Sequence, residues 1–221
     1  MPKDDITSEC NGGGCMPKGS PELTAARKEE IMNACEQLYQ TMNFKEITLK
    51  EIGEVTTFTR TSIYNYFQTK EEIFLGLFQR EYELWCEALE GILKRPGMLS
   101  RRQLADRIAE TLSDRELMLK LLAVNLYDME ENSRMERLVE YKKAYGKSVD
   151  LMEKILAKYC PGVNGTERHM RVISSLQFLH GIYPYAYHSQ KQEEAMRKAG
   201  IPAEKKTIAE LARTGLRKLL A

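Results

Sequence analysis

Four pairs along this 221-residue chain, each a threonine or serine three residues before a glutamate or glutamine, read as helix starts: Thr48 and Glu51, Thr69 and Glu72, Ser100 and Gln103, Ser113 and Glu116. In that pairing the hydroxyl accepts from one free amide at a helix start, and the longer side chain reaches back to a second. Apolar residues recur at three- and four-residue spacing between these points, and no run alternates Val, Ile and Thr as a strand would. The pattern predicts an all-α fold. Helices are expected over 21–42, 48–56, 59–67, 69–94, 100–111, 114–130, 132–159, 166–189 and 202–220. Ser20 and Pro21 open the first as N-cap and first helical residue. Breaks fall at Pro96-Gly97, Pro161-Gly162 and Gly200-Ile201-Pro202, and Pro184 should kink or end its helix because it has no amide to donate.

The chain is 43% hydrophobic and 29% charged, as a folded protein with a real core should be. Its formal net charge is +1, so a polyanion would have to be met by a local patch rather than a broad field. No apolar run approaches the roughly 20 residues that span a bilayer, and "MPKDDITSEC" has no apolar signal segment, which makes the cytoplasm the default location. Residues 1–20 are rich in Gly and polar residues and read as a disordered leader. "MPK" occurs at 1 and again at 16, so Met16 is a second candidate start. The five cysteines, at 10, 15, 35, 86 and 160, do not suit a disulfide framework. Cys10 and Cys15 have no second Cys/His pair to complete a tetrahedral site, and no metal or cofactor is expected.

Residues 48–67 carry the function. "TLKEIGEV", a turn "TTF" and "TRTSIYNYF" read as two short helices. Leu49, Ile52 and Val55 give the first an apolar face; Ile63 and Phe67, four apart, anchor the second. A two-turn helix cannot stand alone. Docked by Ile63 and Phe67, it turns Arg60, Thr61, Ser62, Tyr64 and Asn65 outward, with Thr59 at its start. Short hydrogen-bonding groups beside one guanidinium suit base edges and phosphates, and a helix-turn-helix places the start of its second helix in the major groove.

From about Arg27 to Phe78 the chain resembles the DNA-binding domain of the TetR (tetracycline-repressor-type) family of bacterial transcription regulators. The likeness rests on the step from Phe44 to Thr48, on Ile52-Gly53, and on "SIYNYFQTKE" from Ser62 to Glu71. It implies a three-helix DNA-binding domain (residues 21–68) on a larger helical ligand-binding and dimerisation domain (69–221). It also implies roles. Thr48 and Lys50 would touch phosphate, and Arg60, Thr61 and Ser62 would read bases, Arg60 suiting a guanine. Tyr64 and Tyr66 would meet phosphate or a thymine methyl, and Lys70 would clamp phosphate. Thr48 and Thr69 serve as helix caps whether or not DNA is bound, and Tyr66 reads equally as a core residue. Two positions depart from the family: Gly53 stands where alanine is usual, and Thr57 where a turn glycine is common. Glu46, Glu51 and Glu54 nearly balance the basic residues, so a shallow salt dependence is expected.

Beyond Phe78 the helices have broad apolar faces. Met118, Leu122, Asn125, Phe178, Tyr183 and Tyr187 are candidates to line a pocket for a small apolar or amphipathic effector, and would serve equally as plain core. "LQFLHGIYPYAYH" is apolar on nearly all sides, which calls for burial on more than one face. Leu176 and Leu179 there, with Ile208, Leu211, Ala212, Gly215 and Leu219 of the last helix, form a candidate homodimer bundle. "DMEEN" and "GIYPY" resemble one subgroup of the family's C-terminal domains. His169, His180 and His188 lack metal spacing. The reading is a homodimeric regulator, a repressor, that binds an inverted-repeat double-stranded DNA operator and responds to an effector. The alternatives are a constitutive DNA-binding protein, or a helical scaffold or enzyme for which no catalytic motif is present.

Overall fold

The computed structural model describes residues 20–124, 126–202 and 204–220, and all structure below refers to these. They fold into helices alone: α1 (Pro21–Thr41), α2 (Leu49–Glu54), α3 (Arg60–Ile63), α4 (Lys70–Lys94), α5 (Arg101–Ser113), α6 (Glu116–Leu122), α7 (Leu126–Glu131), α8 (Met135–Tyr159), α9 (Gly165–Ala186), α10 (Gln190–Lys198) and α11 (Ile208–Leu219). Residues 1–19 of the leader, with Cys10 and Cys15, and Asn125 lie outside the described residues. No helix among the described residues is long and apolar enough to cross a membrane.

Helix α4 is the organising element. Its first turns bury Ile73, Phe74 and Leu77 under α1, α2 and α3, where Ile31, Cys35, Tyr39, Ile47, Ile52, Ile63 and Phe67 complete the small core. Phe74 holds the edges of Tyr39 and Phe44 at 5.1 and 4.7 Å between ring centres, a favourable arrangement for aromatic pairs. The rest of α4 lies along α8 and against α5, α6 and α7. Phe78, Tyr82, Trp85, Tyr141 and Tyr145 form a chain of ring contacts between α4 and α8. Helix α9 covers α6 and α8, and α11 closes the bundle against α5 and α9.

Several sequence expectations are corrected here. Ser113 caps nothing: it is the last residue of α5, and α6 starts after Arg115 with no side-chain cap. The single helix expected over 114–130 is two, α6 and α7. The second helix of the helix-turn-helix is one α-turn, Arg60–Ile63, continued by tighter turns in which the Tyr66 and Phe67 amides both donate to the Ile63 carbonyl. Helix α9 passes through Pro184 and ends two residues later. Ser189 with Gln192 and Thr207 with Glu210 form complete capping boxes, starting α10 and α11 where neither start was expected.

Candidate nucleic-acid interface

Local sequence fixes α2 and α3. Thr48 caps α2, its oxygen accepting from the Lys50 amide at 3.2 Å while its hydroxyl donates to Glu51. Thr59 caps α3, accepting from the Ser62 amide at 3.2 Å and sharing a 2.9 Å hydrogen bond with the Ser62 hydroxyl. Gly53 allows the two helices to meet closely, since a Cβ there would lie 3.3 Å from the Arg60 amide nitrogen.

The turn between them departs from a glycine turn. No non-glycine residue among those described has a positive φ, so Thr57 is not forced into the left-handed region. Glu30 of α1 holds it instead, accepting from the Thr57 amide at 3.1 Å and its hydroxyl at 2.7 Å.

Ile63 and Phe67 are buried and Tyr64 is 43% exposed. Arg60, Thr61 and Asn65 are exposed, as are Thr48, Lys50 and Thr59; Ser62, Tyr66 and Lys70 are half-buried. The Arg60 guanidinium donates to the Tyr64 hydroxyl at 3.2 Å and lies 5.8 Å from its ring centre. Lys50 faces Glu54 at 3.5 Å. Lys70 is already engaged: its ammonium donates to the Phe44 carbonyl at 2.6 Å and rests 4.4 Å from the centre of the Phe44 ring, tying the α1–α2 connection to the start of α4. The Tyr66 ring meets Phe58 edge-on at 5.9 Å, and its hydroxyl accepts from Arg27 of α1 at 2.8 Å.

The α3–α4 connection is also gripped by the larger domain. Glu72 is fully buried and accepts from the Arg134 side chain at 2.6 and 2.7 Å, from the Arg134 amide at 3.1 Å and from the Gln68 amide at 2.8 Å. Burial alone would raise this carboxyl, but those hydrogen bonds outweigh it and leave it below its ordinary value. The Thr69 hydroxyl donates to the Asn132 carbonyl at 3.0 Å, and Arg134 also reaches the Tyr66 carbonyl at 3.5 Å. Arg80 binds α4 to α1 through Glu29, Asn33 and Glu36. None of these long-range partners has a local signal in sequence; only the acid or base itself is visible.

The residues named as effector candidates do not share one place. Met118 and Leu122 are buried, and the Phe178 ring lies on Gly215. Tyr183 lines a cleft of about 260 Å³ with Glu36, Tyr39, Glu116, Leu117 and Lys120, between the end of α1, α6 and α9. Tyr187 meets Tyr183 at a tilt, 4.9 Å between ring centres, and donates to Glu116 at 2.8 Å, a bond that pushes the phenol up to about 12. The dimer candidates divide as well. Leu176, Leu179, Ile208 and Ala212 are buried within the protomer itself; Leu211, Gly215 and Leu219 are half-buried.

An anchored short helix with an exposed polar face, set on a larger helical domain, is a helix-turn-helix arrangement. Residues 79–221 match the family model described as "Tetracyclin repressor-like, C-terminal domain", and the chain belongs to that family of TetR-type transcription regulators. Solved structures share the architecture. PfmR, a TetR family transcriptional regulator from Thermus thermophilus, is 13% identical over 86% of this chain and 96% of its own, with a TM-score of 0.59. The fatty acid degradation regulator FadR from Bacillus halodurans is 13% identical over 92% and 96%, with a TM-score of 0.57. Thermus thermophilus FadR, a transcriptional repressor solved with lauroyl-CoA, is 19% identical over 88% and 93%, with a TM-score of 0.53. At these identities the likeness concerns the fold. No curated protein matches the chain.

Proposed function

We propose that the chain is a homodimeric, effector-responsive transcription repressor. Residues 21–68 read an inverted-repeat operator, and residues 69–221 dimerise and sense the effector. The observation that carries this reading is the exposed pair Arg60 and Tyr64, hydrogen-bonded to each other on a helix pinned by the buried Ile63 and Phe67. A guanidinium steadied by a neighbouring hydroxyl is preorganised for a guanine edge. Thr61 and Asn65 extend the base-reading set, and Thr48 and Lys50 flank it for phosphate. Two such faces, related by a two-fold axis, meet half-sites about 34–36 Å apart.

For the dimer, the unburied side of α9 is the candidate face. Met170, Ile173, Gln177, Gly181 and Tyr185 recur on it at helical spacing, with Met170 56% and Tyr185 70% exposed. Half-buried Leu211 and Leu219 of α11 supplement it. The effector is small and apolar or amphipathic, in keeping with the lauroyl-CoA bound by the similar Thermus regulator.

Footprinting on the DNA flanking its own coding region tests the reading. A protected inverted repeat is expected, lost in Arg60→Ala and Tyr64→Ala while dimerisation and melting temperature hold. Protection without symmetry, or loss of fold in both variants, overturns it. The ring cluster that fills the space between α4 and α8 favours a second reading, a constitutive DNA-binding protein. Thermal-shift screening against amphipathic acyl compounds separates the two, because a true effector raises stability by mass action.

A further inference from the structure

Arg27 belongs to α1, not to the helix-turn-helix, and no sequence pattern marks it. In the fold it is exposed and its guanidinium donates to the Tyr66 hydroxyl at 2.8 Å, just past the end of α3. Tyr66 cannot swing away freely: its ring is braced on Phe58 and its carbonyl is reached by Arg134. The hydroxyl is a neutral acceptor, so it orients the guanidinium without cancelling its charge, and four of the five guanidinium donors remain for another partner.

The nearby acids do not cancel it either. Glu29 is held by Arg80 and Glu30 by Thr57, and no carboxylate lies within ion-pair distance of Arg27 among the described residues. Arg60 is treated the same way by Tyr64. In the larger domain, by contrast, Arg115, Arg134 and Arg217 each meet a carboxylate. Among the described residues, it is only around α3 that two guanidiniums are each steered by a tyrosine hydroxyl of the same short segment and left positive.

We infer that Arg27, positioned by the Tyr66 hydroxyl, is a phosphate-binding residue of the DNA-reading face, with Tyr66 acting through Arg27 rather than on DNA directly. The inference rests on the reading of α3 as the element that meets DNA. A guanidinium presents a planar fork that matches a phosphate, and backbone contacts of this kind fix register without reading sequence.

The test uses the full chain and a duplex selected by it from a random-sequence library, with binding followed by fluorescence anisotropy over a range of salt concentrations. Arg27→Ala should weaken binding about tenfold, equally for selected and unselected duplexes, and lower the salt slope by about one for each protomer. Arg27→Lys should keep the slope while losing part of the affinity. Tyr66→Phe should weaken binding in the parent protein and add nothing in the Arg27→Ala background.

Unchanged affinity and slope in Arg27→Ala would overturn the inference, as would a full Tyr66→Phe loss in the Arg27→Ala background. If the parent selects no sequence, or Arg60→Ala is silent, the reading of α3 falls and this inference with it. If Arg60→Ala behaves as expected and only Arg27→Ala is silent, this inference alone fails. Arg27 is exposed, so melting temperature should be unchanged, which separates a lost contact from a lost fold.

Discussion

Glu72 sits where a charge is least welcome, with none of its surface exposed, and stays ionised because every side of the carboxylate meets a donor. Removing its guanidinium by Arg134→Met should cost about 2 kcal/mol in urea denaturation; this is below the usual figure for a buried pair because Arg134 is itself 38% exposed. The sign with pH follows from the lowered carboxyl. Its contribution is present above the ordinary value of 4.5 and is lost as pH falls through the lower folded value. Glu72→Gln should therefore flatten the acid limb of the stability curve, and an unchanged limb would show that other carboxylates govern it. At this scale sequence was a partial guide. Thr69-x-x-Glu72 reads as a capping box, and the Thr69 oxygen does accept from the Glu72 amide at 3.2 Å. The carboxylate, however, turns to Gln68 and Arg134, because a partner 62 residues away offers a full positive charge that a local amide does not.

Among the elements, legibility follows how local the cause is. Starts at Thr48, Thr69 and Ser100 were readable because cap and helix lie within four residues. Helix α10 was not, because none of its residues is buried and an apolar period never forms. The start at Ser113 misleads because the preceding helix runs on through it; α6 is instead tied at its start to α4, where Glu81 accepts from Arg115 at 3.4 Å. Helix α11 depends on both kinds of support. Its Thr207–Glu210 box is local, and Arg217 forks onto Asp106 of α5 at 2.6 and 2.7 Å. Thr207→Ala should lower stability by about 1 kcal/mol. Asp106→Ala should cost a similar amount, about 1 kcal/mol, since the pair is partly solvated. Native-state hydrogen exchange should localise both losses to α11.

For the whole molecule, the small N-terminal unit and the larger domain share α4, so the boundary expected between 68 and 69 crosses a continuous core in which Phe74 touches Tyr39 and Phe44. The all-α class and the anchoring of α3 by Ile63 and Phe67 were legible because both follow from short-range patterns. The division of the last helices' apolar residues was not: an apolar helix does not say which of its sides its own chain will cover, and Leu176, Leu179, Ile208 and Ala212 are covered within the protomer. If the free side of α9 forms the dimer, Gly181→Arg should yield monomers in sedimentation velocity with the fold intact, because the space beyond that glycine is open within the protomer. A dimer unaffected by the change would place the interface elsewhere.

The seat of the last helix has a genetic consequence. At Gly215 even a methyl group would overlap the Phe178 ring. Every missense change reachable by one base from a glycine codon adds at least that much, so Gly215→Ala is the mildest step available and should still cost about 1–3 kcal/mol in overpacking. Mutational drift has no neutral first move at this position, and any lineage that leaves it must first have shrunk or turned the phenylalanine opposite.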